Sequence, residues 1–122
     1  MCCRAEALET LAHVGLADQA HQFVRNLSYG EQKLLTVARV LATRAELLLL
    51  DEPASGLSHG ALDSIMTLLR RLQSEGKTLL VVEHNTRVVQ KIADRVMIMN
   101  NGRIVFDGSP DQARASNFWD YF

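Results

Sequence analysis

Two adjacent carboxylates, Asp51 and Glu52, close a run of four leucines, Leu47 to Leu50, and are followed by Pro53. A short unbroken apolar run suits a strand covered on both faces, as in a parallel sheet. Ligands of open α/β sheets bind at the carboxyl edge of such strands. A hard oxygen ligand there suits a magnesium ion, so Asp51 is the candidate metal ligand, directly or through water. Glu52 is then the candidate to orient or deprotonate an attacking water. His84 follows a second apolar run, Thr78 to Glu83, at what should be the same sheet edge. It can hydrogen-bond a terminal phosphate while its charge stays tunable near neutral pH. His13, His21 and His59 have no such context and read as surface or packing residues.

A third piece lies upstream, Leu27-Ser28-Tyr29-Gly30-Glu31-Gln32. Ser28 with Glu31 three residues later fits a capping box, an ordinary way to start a helix. The same piece also suits an anion site. Gly30 lets a phosphate approach the backbone, and the serine hydroxyl, free amides and positive helix end then face it.

These residues need elements to position them. Leu8, Leu11 and Val14 predict a helix over Ala5 to Val14 stopped by Gly15, with a second short helical piece over Asp18 to Val24. From Tyr29 to Thr43 the apolar positions are too many for one stripe, which predicts a helix buried on much of its surface. Leu47 to Asp51 is the first strand, covered on both faces. After a turn at Glu52 to Gly60, the spacing of Leu62, Ile65, Met66, Leu69 and Leu72 marks an amphipathic helix ended by Gly76. Thr78 to Glu83 is a second buried strand, Thr86 to Ala93 a short helix and Arg95 to Met99 a third strand. Asn101-Gly102 then signals a tight hairpin into Arg103 to Phe106. Strands alternating with helices predict a layered α/β fold with mostly parallel pairing and one antiparallel hairpin near the end.

Composition sets the outer limits. With 122 residues, 48% hydrophobic and 22% charged, the chain can bury a core as one domain and is not compositionally disordered. A net charge of -1 argues against attachment to nucleic acid by bulk electrostatics. No apolar run approaches the roughly 18 residues of a membrane span, and the start lacks a signal-peptide core. The two cysteines, Cys2 and Cys3, are adjacent, which fits neither a disulfide framework nor a zinc pattern and points to a reducing compartment. Phe118, Trp119, Tyr121 and Phe122 form an aromatic cluster. It is read as a tail packing on the fold, with a partner contact as the alternative.

Taken together, these motifs resemble the nucleotide-binding domain of ABC-type ATPases, in matching order and spacing from about Ala5 to Phe122. The resemblance makes Leu27, Ser28, Tyr29, Gly30, Glu31 and Gln32 the signature motif, which contacts ATP held by a partner subunit. Leu47 to Asp51 becomes the Walker B strand, Glu52 the catalytic glutamate, His84 the switch histidine, and Ser55, Gly56, Leu57 and Ser58 the D-loop. Ser58 stands where the family usually has aspartate, so the D-loop's contacts across the dimer do not carry over unaltered. The resemblance implies a partial P-loop-NTPase-like (RecA-like) fold. About residues 4–45 would form a helical and signature segment, and 46–122 a segment from Walker B to the C-terminal hairpin. Tyr29, the Glu83-His84-Asn85 triplet and the stretch Asn100 to Pro110 are similar to branched-chain amino-acid-type importer ATPases. The implied cofactors are ATP and Mg2+. The implied partners are a second nucleotide-binding subunit and transmembrane permease subunits, with no nucleic acid. The implied location is cytoplasmic, on the inner face of the membrane.

The family's phosphate-cradling P-loop, GxxxxGK[ST], is missing from these 122 residues. Gly76-Lys77-Thr78 is a fragment of it in the wrong setting, since it leaves a helix and enters a strand, and Arg71 occupies the place of the first glycine. The chain thus resembles the C-terminal half of such a domain. The expectation is a truncated or split importer subunit, inactive alone, with apolar faces and a strand edge left uncovered. The alternatives are a module that donates its signature motif without hydrolysing ATP, a non-transport ABC ATPase, and an inactive gene remnant.

Overall fold

The computed structural model describes residues 3–117 and residue 119. They fall into two compact units, Met1–Val81 and Val82–Phe122.

The first unit opens with helix α1 (Cys3–His13) and continues through two 3₁₀ turns, Ala17–Gln19 and Val24–Asn26, into α2 (Tyr29–Leu41). Strand β1 (Leu47–Asp51), α3 (His59–Ser74) and β2 (Thr78–Val82) follow. The helical piece expected over Asp18 to Val24 is these two separate turns. Helix stops are well defined by the sequence. At the end of α3, Gly76 takes φ 89°, its N–H donates to Gln73 O at 3.0 Å, and the Lys77 N–H donates to Leu72 O at 3.0 Å. This paired closure requires a left-handed residue, which glycine adopts without steric cost. Gly15 closes α1 by the same pattern, through Ala12 and Leu11.

The α3 stripe is buried as expected, at Leu62, Ile65, Met66, Leu69 and Leu72, with Leu68 added. One core cluster joins Val14, Leu16, Val37, Ala38, Leu68 and Leu72, edged by Leu11, Leu34, Leu35, Leu41 and Leu79. Helix α2 is less enclosed than its composition suggested, with only Val37 and Ala38 fully buried.

The two strands of this unit overturn a stronger expectation. They pair with each other, and both start side by side, since the Thr78 N–H donates to Glu46 O at 2.9 Å. They therefore run in the same direction, as the crossover through α3 requires. Yet neither is covered on both faces. In β1, Leu48 (0%) and Leu50 (7%) are buried, whereas Leu47 (52%) and Leu49 (64%) stand in the open. In β2, Leu80 and Val82 are likewise exposed. The physical reason is that, among the described residues of this unit, the helical core packs against the face that carries Leu79.

The second unit holds α4 (Thr86–Ile92), β3 (Val96–Asn100), β4 (Arg103–Gly108) and α5 (Pro110–Ala115), the last not foreseen from the sequence. Strands β3 and β4 pair antiparallel as a sheet of their own, with a register shift between Ile98 and Met99. Their two-residue loop has φ 49° at Asn101 and 75° at Gly102, as the Asn-Gly signal predicts for a tight hairpin. Arg95 clamps the pair by a two-pronged bond to Asp107, at 2.8 and 2.7 Å. Ser109 and Gln112 form a capping box that starts α5, with Pro110 in its first turn. Trp119 is half-buried, while Phe118, Tyr121 and Phe122 lie outside the described residues. No helix among the described residues is long and apolar enough to cross a membrane.

Candidate functional site

The candidate site is built where β1 ends. Asp51 is exposed at the last position of the strand, and Glu52 is exposed at the start of the turn into α3. Glu52 has φ 46°, a left-handed conformation uncommon for a residue with a side chain. Strained backbone of this kind persists where the surroundings over-determine it, and it concentrates at functional positions. The carbonyl of Glu52 accepts from the Ser55 N–H at 3.2 Å and from Lys33 Nζ at 3.4 Å. Pro53 and Ala54 are buried. Ser58 ends the turn by accepting from the Ala61 N–H, as N-cap of α3. Serine and aspartate are comparable N-caps, so the departure at Ser58 leaves the helix start intact.

The second wall of the site is the start of α2. The capping box foreseen from the sequence is present: Ser28 Oγ accepts from the Glu31 N–H at 3.2 Å. The Ser28 N–H in turn donates to Glu31 Oε2 at 2.7 Å. Gln32 reaches back to Leu27 O at 3.2 Å, and Gln19 donates to Glu31 Oε1 at 3.4 Å. Glu31 and Gln32 therefore shape the helix start, and the amides of Tyr29 and Gly30 are the ones neither capping side chain takes up. Those amides, the Ser28 hydroxyl and the positive helix end suit an anion.

The structure joins these walls through contacts the sequence did not disclose. A Cβ on Gly30 would lie 2.8 Å from Ala61 Cβ, so glycine is needed there for α2 to approach α3. A Cβ on Gly56 would lie 3.2 Å from the Tyr29 ring. Lys33 Nζ sits 5.5 Å from the centre of that ring, within cation–π range. Tyr29 thus meets Gly56, and Gly30 meets Ala61 of α3, inside one unit, with Leu57 half-buried between Gly56 and Ser58. Lys33 and Ala61 are the residues that sequence reasoning missed. The available signal for Lys33 was its spacing of four from Tyr29, which places both on one helix face.

His84 is exposed beyond the end of β2, in the second unit. The next residue, Asn85, caps α4 by accepting from the Arg87 and Val88 amides at 3.1 and 3.4 Å. Among the described residues no three His, Cys, Asp or Glu side chains converge as a metal cage. Asp51, exposed at the strand end, is the candidate carboxylate for magnesium, which commonly takes one or two carboxylates and completes its shell with phosphates and water.

The family described as ABC transporter matches residues 3–55. The branched-chain amino-acid transport ATP-binding protein BraF of Pseudomonas aeruginosa is 39% identical over 114 residues, 89% of this chain and 45% of BraF. The L-cystine transport ATP-binding protein TcyN of Escherichia coli is 37% identical over 125 residues, 97% of this chain and 50% of TcyN. Among solved structures, an ATP-binding cassette of an ABC transporter in its ADP conformation superposes with a TM-score of 0.85 at 27% identity. That match covers 95% of this chain and 45% of the cassette. The chain therefore belongs to the ABC transporter ATPase family, as an α/β segment spanning about half the length of the curated relatives it matches.

Proposed function

We propose that this chain is part of the ATP-binding subunit of an ABC importer for amino acids, and that it works only when a P-loop from elsewhere completes its site. The observation that carries the reading is the joining of the α2 start to the turn after Asp51, by Lys33 on the Glu52 carbonyl and Tyr29 against Gly56. An anion-ready helix start and a candidate general base are thereby built as one piece. Relatives named for amino-acid, glutamine and cystine transport support the solute class. The branched-chain preference rests on Tyr29, the Glu83-His84-Asn85 triplet, the stretch Asn100 to Pro110 and the likeness to BraF.

In this reading Ser28 and the amides of Tyr29 and Gly30 face the phosphates of an ATP held by a second nucleotide-binding subunit. Glu52 accepts a proton from the attacking water, and His84 hydrogen-bonds the terminal phosphate. Magnesium, when bound, neutralises phosphate charge, and Asp51 is the residue here that would hold it. The partner subunits are a second cassette and transmembrane permeases, which place the chain at the cytoplasmic face of the membrane.

The test mixes the chain with a P-loop-bearing cassette half and follows ATP turnover. Glu52→Gln should lower turnover by roughly a hundredfold or more, and Ser28→Glu should abolish stimulation of a partner. Loss with Ser28→Glu but not with Glu52→Gln would replace this reading with that of a non-catalytic module. No loss from either variant would reject both.

A further inference from the structure

The contacts beneath Glu52 point to a residue that no motif contains. We propose that Lys33 is a positioning residue, fixing the main chain of Glu52 in its left-handed conformation from the first turns of α2. Its ammonium donates to the Glu52 carbonyl at 3.4 Å and rests over the Tyr29 ring, 5.5 Å from its centre. That ring in turn abuts Gly56, four residues further along the turn from Glu52. The same carbonyl accepts from Ser55, closing the turn. The left-handed backbone of Glu52 is unfavourable by itself, so its persistence needs partners of this kind. Lys33 supplies one from outside the turn, on the helix whose start carries Ser28. A shift of that helix start is thereby passed to the orientation of Glu52. The close Gly30–Ala61 approach leaves the helix little room to move without dragging the turn. The significance for turnover rests on the reading of Glu52 as the proton acceptor; the positioning itself does not.

The experiment keeps the two apart. In the labelled full chain, Lys33→Met preserves the aliphatic stem and removes the donor. The Glu52 carbonyl carbon resonance should move, and the Ser55 amide should exchange about three- to tenfold faster, the loss of one exposed hydrogen bond. Lys33→Arg should restore both, and amides in the middle of α3 should be unaffected in either variant. Removing the ring by Tyr29→Leu should reproduce part of the change and add little to Lys33→Met, since both act through one contact chain. Wild-type carbonyl shift and Ser55 exchange in Lys33→Met would overturn the proposal, as would failure of arginine to restore them. In the mixed turnover assay, Lys33→Met should lower kcat and leave the KM for ATP unchanged. A loosened turn with unaltered kcat would support the positioning and count against Glu52 as the proton acceptor.

Discussion

Glu52 is the residue where local conformation and proposed chemistry collide. A side chain at φ 46° costs about 1 kcal/mol relative to glycine, yet glycine there would remove the carboxylate. Glu52→Gly is therefore expected to raise stability by about that amount in chemical denaturation while removing the candidate proton acceptor. A variant that is both less stable and inactive would show that the Glu52 side chain is structural. Gly30 presents the opposite case. Gly30→Ala forces a methyl to 2.8 Å from Ala61 Cβ and should destabilise by about 1–3 kcal/mol. Most of that loss should vanish in an Ala61→Gly background. What was legible at this scale was local: the Ser28–Glu31 capping box follows from spacing alone, and the structure contains it. The Lys33–Glu52 contact was not, because it joins positions nineteen apart in the chain through a fold that must first exist.

At the scale of elements, stops and turns were readable because they depend on residues with special backbone conformations. Gly15, Gly76 and Asn101-Gly102 all take the positive φ their signals require. The faces of β1 were not readable. A strand written as four leucines carries no period-two pattern, so its sequence is the same whether one face or both are covered. The contrast is measurable: Leu48→Ala should cost about 2–5 kcal/mol, whereas Leu49→Ala on the open face should change stability by no more than about 0.5 kcal/mol. Equal losses would mean that both faces are buried in solution. In the hairpin, hydrogen bonding from Arg95, aided by its charge, holds the Asp107 carboxyl below the usual aspartate range. A group lowered in this way stabilises the hairpin above its ordinary pKa of about 3.9 and loses that contribution as pH falls through the lower, folded value. A carboxyl titration followed by NMR should therefore show an Asp107 midpoint below about 3.9, returning towards it in Arg95→Gln.

Across the described residues, both two-stranded sheets carry exposed apolar side chains. Leu47, Leu49 and Leu80 stand open on the β1–β2 sheet of the first unit, and Met97, Met99 and Ile104 on the β3–β4 hairpin of the second. Two-stranded sheets are marginal by themselves, and aliphatic rows of this kind promote association. Sedimentation should show concentration-dependent self-association, reduced by Leu49→Lys. A monodisperse monomer with a sharp, cooperative melt would contradict this. Solved cassettes of the family superpose on nearly the whole chain while extending to about twice its length. Under the proposed function, these 122 residues supply a candidate proton acceptor, Glu52, to a site whose P-loop comes from elsewhere. The most direct test of this reading is magnesium-dependent ATP hydrolysis by the purified chain, alone and mixed with a P-loop-bearing half. Negligible turnover is expected from the chain alone, and turnover in the mixture that is lost with Glu52→Gln. Robust hydrolysis by the chain alone, lost with the same substitution, would contradict it.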